Sequence, residues 1–209
     1  MSCYHEPGAH RTVLSVYDEV VGELDRLVAL VSVAGWGAPT PCADWSIRDL
    51  VNHATAQLLW VSPLVNGGTI ASTGRRFDGD VLGVNPVGMW SMGRTNASGA
   101  FHTPDALDRQ VRLSYGPRDG LGYCVELTTE LTLHTWDLAK ALGGSGRLSE
   151  TIVRFAWEEF RTYQDLPATG QFAPALPVGP DSGPLTVLLA RAGRDANWTP
   201  SSPRRDHGT

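Results

Sequence analysis

The ten residues from Thr128 to Asp137 read TTELTLHTWD and carry the strongest signal in this chain of 209 residues. On an α-helix, Glu130 and His134 lie one turn apart on the same face, and Asp137 follows one turn later. At about 100° per residue, His134 falls about 40° to one side of Glu130 and Asp137 about 20° to the other. Leucines adjoin this face and threonines point away from it. The pattern predicts two acidic groups and an imidazole within the apolar stripe of a helix.

An earlier amphipathic segment carries a second inward imidazole, His53. At helical spacing it shares a face with Gln57 and with several apolar residues, whereas Arg48 and Asn52 point the other way. Charged groups that face a protein core are paired or bind a metal, because an unpaired buried charge is costly. Taken alone, the Glu-x-x-x-His spacing favours a buried hydrogen bond between protein groups. A second inward histidine on a neighbouring helix shifts the balance toward a metal site.

The predicted metal ligands are His53, Glu130 and His134. Two neutral imidazoles and one carboxylate form a facial set that leaves positions open for water or substrate. Zinc, as Zn²⁺, suits this set best, and Ni²⁺, Fe²⁺ and Mn²⁺ are the alternatives. An open position on such an ion would bind a water, a thiol or a carbonyl oxygen.

Three more polar residues are candidates for supporting the site, and no catalytic residue is assigned among them. Asp137 and Gln57 are expected to orient the ligands through hydrogen bonds. An equal alternative for Asp137 is one end of a salt bridge. Glu126 lies one turn before Glu130 and is expected either to line the pocket or to remain a surface charge.

Hydrophobic periodicity and helix-boundary signals predict a chain made of helices. The expected helical ranges are residues 11–34, 46–65, 86–101, 119–142, 151–165 and 185–192. Ser46-Ile47-Arg48-Asp49 matches a capping box, which marks the start of the second helix. We therefore predict an all-α protein, an antiparallel four-helix bundle with a C-terminal arm and a short extra helix.

The expected domain organisation is a metal-binding bundle over residues 1–165 and an arm over 166–198 that packs on it. Residues 199–209 are expected to be a disordered tail. Within the bundle, residues 67–84 are rich in glycine, threonine and aspartate and predict a long loop. Residues 106–115 alternate enough to allow a short extended piece.

Composition narrows the class of protein and of partner. The net charge is −5 and the chain has no basic run, so neither nucleic acid nor a membrane surface is expected as a partner. The three cysteines are widely spaced and form no Cys-x-x-Cys pair, which argues against a disulfide framework. No signal segment or membrane-spanning run is evident, so we expect a cytoplasmic protein that acts on a small molecule.

Three stretches of the chain resemble a known superfamily. Residues 40–53, TPCADWSIRDLVNH, and residues 130–139, ELTLHTWDLA, resemble the motifs of the DinB-like, mycothiol-dependent maleylpyruvate isomerase N-terminal superfamily. Residues 188–195, LLARAGRD, are similar to the C-terminal signature of a short subgroup described as metal-binding proteins. The resemblance implies a DinB-like four-helix bundle that holds a divalent metal, usually zinc, through His53, Glu130 and His134.

The resemblance also implies work on low-molecular-weight thiols. The expected function is therefore a metal-dependent enzyme, a mycothiol-type thiol transferase or isomerase with mycothiol as co-substrate. One alternative is a natural-product tailoring enzyme that uses the metal as a Lewis acid without a thiol. Another is a non-catalytic stress protein that binds a metal or small molecule. A homodimer formed through the C-terminal arm is a further expectation.

Overall fold

Residues 8–163 and 172–200 are described in the computed structural model, and most of them are helical. The helices are α1 (Ala9–Val28), α2 (Ile47–Val65), α3 (Ile70–Thr73), α4 (Pro86–Phe101), α5 (Gly120–Ala141), α6 (Glu150–Phe160) and α7 (Pro184–Arg191). The strands β1 (Gln110–Leu113) and β2 (Gly116–Asp119) pair antiparallel in one hairpin. The predicted all-α class is confirmed, with this small hairpin added. Within the described ranges, no helix combines the length and apolar character that a membrane crossing needs.

α5 is the central helix of the fold. It packs against α1, α2 and α6, while α2 also packs along α4. Three threonines of α5 that were expected to point away from the site do so, yet their face is buried and not solvated. These are Thr128, Thr132 and Thr135, and each hydroxyl donates to the carbonyl four residues earlier. This local bond lets a polar side chain lie in an apolar interface, because its donor is satisfied within its own helix.

The capping box predicted at the start of α2 is present. The Ser46 hydroxyl accepts from the Asp49 amide at 3.2 Å, and the Asp49 carboxylate accepts from the Ser46 amide at 3.0 Å. These bonds satisfy amides that have no partner within the helix. α2 ends at Val65, as predicted, and Gly67 then adopts the left-handed backbone, with φ of +88°. His53 therefore lies about two turns after the capped start of α2.

Two helices are shorter than predicted. α1 ends at Val28 and not at residue 34, because the chain tightens into three-residue turns in which the Leu30 and Val31 amides donate to Leu27 and Val28. Beyond Val28, Leu30 is exposed, whereas Val31 still packs against the core from this turn. α6 ends at Phe160, and residues 164–165 of its predicted range lie outside the described residues.

Two short elements lie where the sequence predicted irregular chain. α3 lies inside the predicted 67–84 loop, and β2 completes a hairpin with the extended piece expected within 106–115. β2 has the sequence GPRD. Glycine, proline and aspartate are depleted in strands, so residue propensities did not predict this strand. Asp119 then caps α5 by accepting from the Gly122 amide at 2.6 Å, which confirms the predicted start of that helix.

The C-terminal segment builds a second apolar cluster on α5. Leu188 and Leu189 of α7 pack there with Phe160 of α6 and with Leu133 and Trp136 of α5. This cluster lies beside the main core, whose residues come mainly from α1, α2, α4 and α5, with Ile152 and Phe155 from α6. The predicted boundary at residue 165 and most of the predicted tail fall in residues 164–171 and 201–209, outside the described residues.

We predict that Ser46→Ala lowers the free energy of unfolding by about 1 kcal/mol, because it removes one half of the capping box. Urea unfolding followed by circular dichroism measures the change. Ser91→Ala is the matched control, since Ser91 lies inside α4, where alanine is the better helix former. Equal losses for the two variants would show that the cap contributes nothing specific.

Candidate functional site

All three predicted ligands line one cavity of about 240 Å³ between α2 and α5. His53 comes from α2, and Glu130 and His134 come from α5. The other lining residues are Cys42, Trp45, Leu133, Phe172 and Arg194. We call this space the His–Glu cavity.

The two imidazoles lie side by side on the wall of this cavity, in edge-to-face contact. Their ring centroids are 5.2 Å apart and the ring planes meet at 81°. Trp45 covers both rings, with its centroid 4.9 Å from His53 and 6.0 Å from His134. Burial, reinforced by the neighbouring His134 and Arg194, lowers the pKa of His53 to about 3. His53 is therefore neutral at physiological pH, which is the form that binds a metal.

His134 is held from behind by a buried ion pair. Its Nδ1 lies 3.4 Å from Oδ2 of Asp137, and Arg194 donates to the same oxygen at 3.2 Å. Asp137 is fully buried and Arg194 is 6% exposed. One oxygen of Asp137 therefore contacts the histidine and also ends a salt bridge. The orienting role of Asp137 toward a metal ligand stays a prediction. With Nδ1 engaged, Nε2 is the His134 nitrogen available to a ligand.

Glu130 is positioned by Gln57 across the interface of α2 and α5. The Gln57 amide donates to one oxygen of the Glu130 carboxylate. Burial, with the nearby Glu126 charge, raises the pKa of Glu130 to about 7, against the opposing effects of the Gln57 hydrogen bond and Arg194. The Gln57 carbonyl oxygen is buried and has no protein partner among the residues described.

Two neutral imidazoles and a carboxylate line one cavity, and these are side chains of the types that bind a divalent metal. Its spacing is not that of a closed coordination site. Over residues 8–163 and 172–200, no three His, Cys, Asp or Glu side chains are arranged to hold an ion.

Glu126 does not line the His–Glu cavity. It lies in an adjoining cavity of about 260 Å³, where its carboxylate accepts from Arg118 at 2.6 Å and from the Tyr115 hydroxyl. Glu126 therefore lies at a neighbouring cavity and not in the pocket of the predicted ligands. The two cavities share Glu130 and Phe172 as wall residues.

Arg194, Trp45 and Cys42 were not selected from the sequence as parts of the site. Arg194 stands in the quoted 188–195 signature, but no spacing rule links it to a histidine 60 positions earlier. Trp45 and Cys42 belong to the turn before α2, where the Trp45 amide donates to the Cys42 carbonyl at 3.1 Å. Their presence in the 40–53 motif was the available signal.

We predict that Arg194→Met lowers the free energy of unfolding by about 3 kcal/mol, because it leaves Asp137 buried without its countercharge. Adding Asp137→Asn should restore part of the loss, since the buried charge is then removed as well. Denaturant unfolding of both variants measures this coupling. Arg75→Met is the control, because Arg75 pairs with Asp78 at the exposed surface and is worth about 0.5 kcal/mol or less. A cost no larger than that of the control would rule out a structural role for the buried pair.

Comparison with known proteins assigns the chain to a family. The sequence model of one protein family, described as the mycothiol maleylpyruvate isomerase N-terminal domain, matches residues 17–139. Two curated relatives, both uncharacterized proteins from strains of Mycobacterium tuberculosis, are 30% identical over 130 residues. The matched part is 60% of this chain and spans 65% of the length of these relatives.

Two crystal structures share the fold. A histidine-to-alanine mutant of the mycothiol-dependent maleylpyruvate isomerase superposes with a TM-score of 0.61 at 17% identity, covering 84% of this chain and 77% of that one. A second structure of the mycothiol-dependent maleylpyruvate isomerase gives 0.57 at 18% identity, covering 74% and 70%. The predicted DinB-like fold is confirmed. The family model matches more than half of this chain, and the chain therefore belongs to the mycothiol maleylpyruvate isomerase N-terminal domain family.

Proposed function

We propose that this protein is a metal-dependent enzyme that uses a mycothiol-type thiol to transfer a group to, or isomerise, a small molecule. The observation that carries the proposal is the convergence of His53, Glu130 and His134 on one cavity in a member of this family. Two solved relatives of the same fold are named as mycothiol-dependent isomerases, which supports the choice of thiol and of reaction class.

His53, Glu130 and His134 would hold the ion, with Zn²⁺ the first choice and Ni²⁺, Fe²⁺ or Mn²⁺ the alternatives. When bound, the ion would supply Lewis acidity, which deprotonates a thiol or polarises a carbonyl oxygen at neutral pH. The three side chains do not form a closed set in the described geometry, so binding would draw them together.

The remaining residues of the cavity would prepare it for a thiol-bearing ligand. Asp137 would fix the tautomer of His134, and Gln57 would hold the Glu130 carboxylate in place. Arg194 lies on the cavity wall with its charge paired to Asp137, and its Nε, which has no protein partner among the described residues, would donate to an acceptor atom of the substrate. Trp45 lies against the two imidazoles and would shield them from water on that side of the cavity.

The metal assignment predicts that the purified protein binds about one Zn²⁺ per chain. His53→Ala, Glu130→Gln and His134→Ala should each reduce the bound zinc to about a tenth of the wild-type amount or less, because each removes one of three ligands. Elemental analysis after dialysis against zinc measures the content, and circular dichroism verifies that each variant is folded.

His102→Ala is the matched control for the metal experiment. His102 caps the end of α4, is exposed, and contacts Asp18 through Nε2 at 3.2 Å. Its substitution should leave the zinc content unchanged. Full zinc content in folded His53→Ala and His134→Ala variants would overturn the metal assignment.

The thiol is tested separately, on zinc-loaded wild-type protein. We expect mycothiol-dependent conversion of an electrophile or a cis-configured unsaturated acid, detected by mass spectrometry with and without mycothiol. Conversion should be lost in Glu130→Gln and kept in His102→Ala. Product formation that is equally fast without mycothiol would favour the Lewis-acid tailoring enzyme over the thiol-dependent one.

A further inference from the structure

The adjoining cavity of about 260 Å³ has a polar wall that the proposed metal chemistry does not use. On this wall, Arg118 lies between two carboxylates. It donates to Glu126 at 2.6 Å and to Glu159 at 2.9 Å, which engages both terminal nitrogens of the guanidinium. Arg118 is therefore committed to protein partners and is not free to bind an anion.

The net charge of this wall is negative. Glu126 and Glu159 together carry two negative charges against the single positive charge of Arg118, without counting Glu130. Glu159 is 4% exposed, and the bonds from Arg118 and from the Tyr163 hydroxyl both end on its Oε1. No hydrogen bond between described residues ends on Oε2 of Glu159, so this oxygen can accept one from a ligand.

Thr129 supplies an independent sign of a ligand at this wall. It lies on α5, lines the cavity and is 1% exposed. The three other buried threonines of α5 each donate to the carbonyl four residues earlier. The Thr129 hydroxyl has no protein partner among the described residues. A buried hydroxyl without a partner is costly, and a bound ligand would offset that cost.

The remaining walls are aromatic and come from Tyr115, Phe160, Tyr163 and Phe172. Aromatic faces attract cations, and a desolvated ammonium beside carboxylates gains both this attraction and charge-assisted hydrogen bonds. We propose that the adjoining cavity binds a small organic cation, a primary ammonium attached to an apolar body, through Glu159 and Thr129.

This inference goes beyond the proposed function and does not rest on it, because neither Glu159 nor Thr129 is a proposed metal ligand. The shared wall residues Glu130 and Phe172 make the two cavities neighbours. A cation bound here would lie next to the carboxylate of the His–Glu cavity. The amine-bearing part of a substrate could therefore be held in one cavity while its reacting part lies in the other.

The test uses the full chain and three probes of nearly equal shape: 2-phenylethylammonium, 2-phenylethanol and 3-phenylpropanoate. Isothermal titration calorimetry at neutral pH measures their affinities. We expect the ammonium to bind about tenfold more tightly than the alcohol, since only it has the charge, and the carboxylate to bind more weakly than either. Equal affinity for ammonium and alcohol, or a preference for the carboxylate, would overturn the proposal.

Two variants and one control locate the binding. Glu159→Gln should weaken ammonium binding about tenfold, because the carboxylate loses its charge. Thr129→Val removes only the hydroxyl that lacks a protein partner, so it should keep the fold and weaken binding about fivefold. Glu158→Gln is the matched control, since Glu158 is the adjacent acid of α6 and pairs with Arg161 instead. Its affinity should stay within about twofold of wild type.

If Glu159→Gln fails to fold, Thr129→Val still tests the proposal. A folded Thr129→Val that binds the ammonium as tightly as wild type would place the probe elsewhere and overturn the assignment. Losses of equal size in Thr129→Val and Glu158→Gln would do the same.

Discussion

The burial of α5 is the constraint on which the rest of the structure depends. Because α1, α2 and α6 pack around this helix, its polar side chains lie in an apolar interior and need partners there. The threonines on one face meet that need within the helix, by bonding to the carbonyls of the preceding turn. The carboxylates of Asp137 and Glu130 cannot be satisfied in this way. They only accept hydrogen bonds, and the amides inside a helix already donate to backbone carbonyls. Their partners come from other parts of the chain, and those partners build the site.

The C-terminal segment supplies the partner for Asp137. Arg194 follows α7 and reaches the buried carboxylate, while Leu188 and Leu189 pack the same segment onto α5 and α6. The apolar cluster holds the segment in place, and the ion pair sets the orientation of His134 behind it. Stability and site geometry are thus coupled, since the same segment contributes to both.

Glu130 and Phe172 separate the two cavities on the surface of α5. On one side are neutral imidazoles under a tryptophan, and on the other are carboxylates and aromatic rings around Arg118. Gln57 holds the Glu130 side chain between them. Because one carboxylate contributes to both walls, a ligand or ion in either cavity changes the electrostatic environment of the other.

The sequence by itself determined most of the long helices and which face of α5 carries Glu130 and His134. The packing of α2 on α5 decided that His53 lines the same cavity. Helix boundaries such as Ser46 and Asp119 are local, since a cap bonds to amides two or three residues away. The alignment of Glu130 with His134 is equally local, because helix geometry fixes which residues share a face. Only the tertiary structure placed Gln57 on Glu130, 73 residues apart, and Arg194 on Asp137, 57 residues apart. It also decided that the threonine face of α5 is buried. Such contacts depend on how separate helices pack, and a periodic pattern records which face is apolar but not which neighbour covers it.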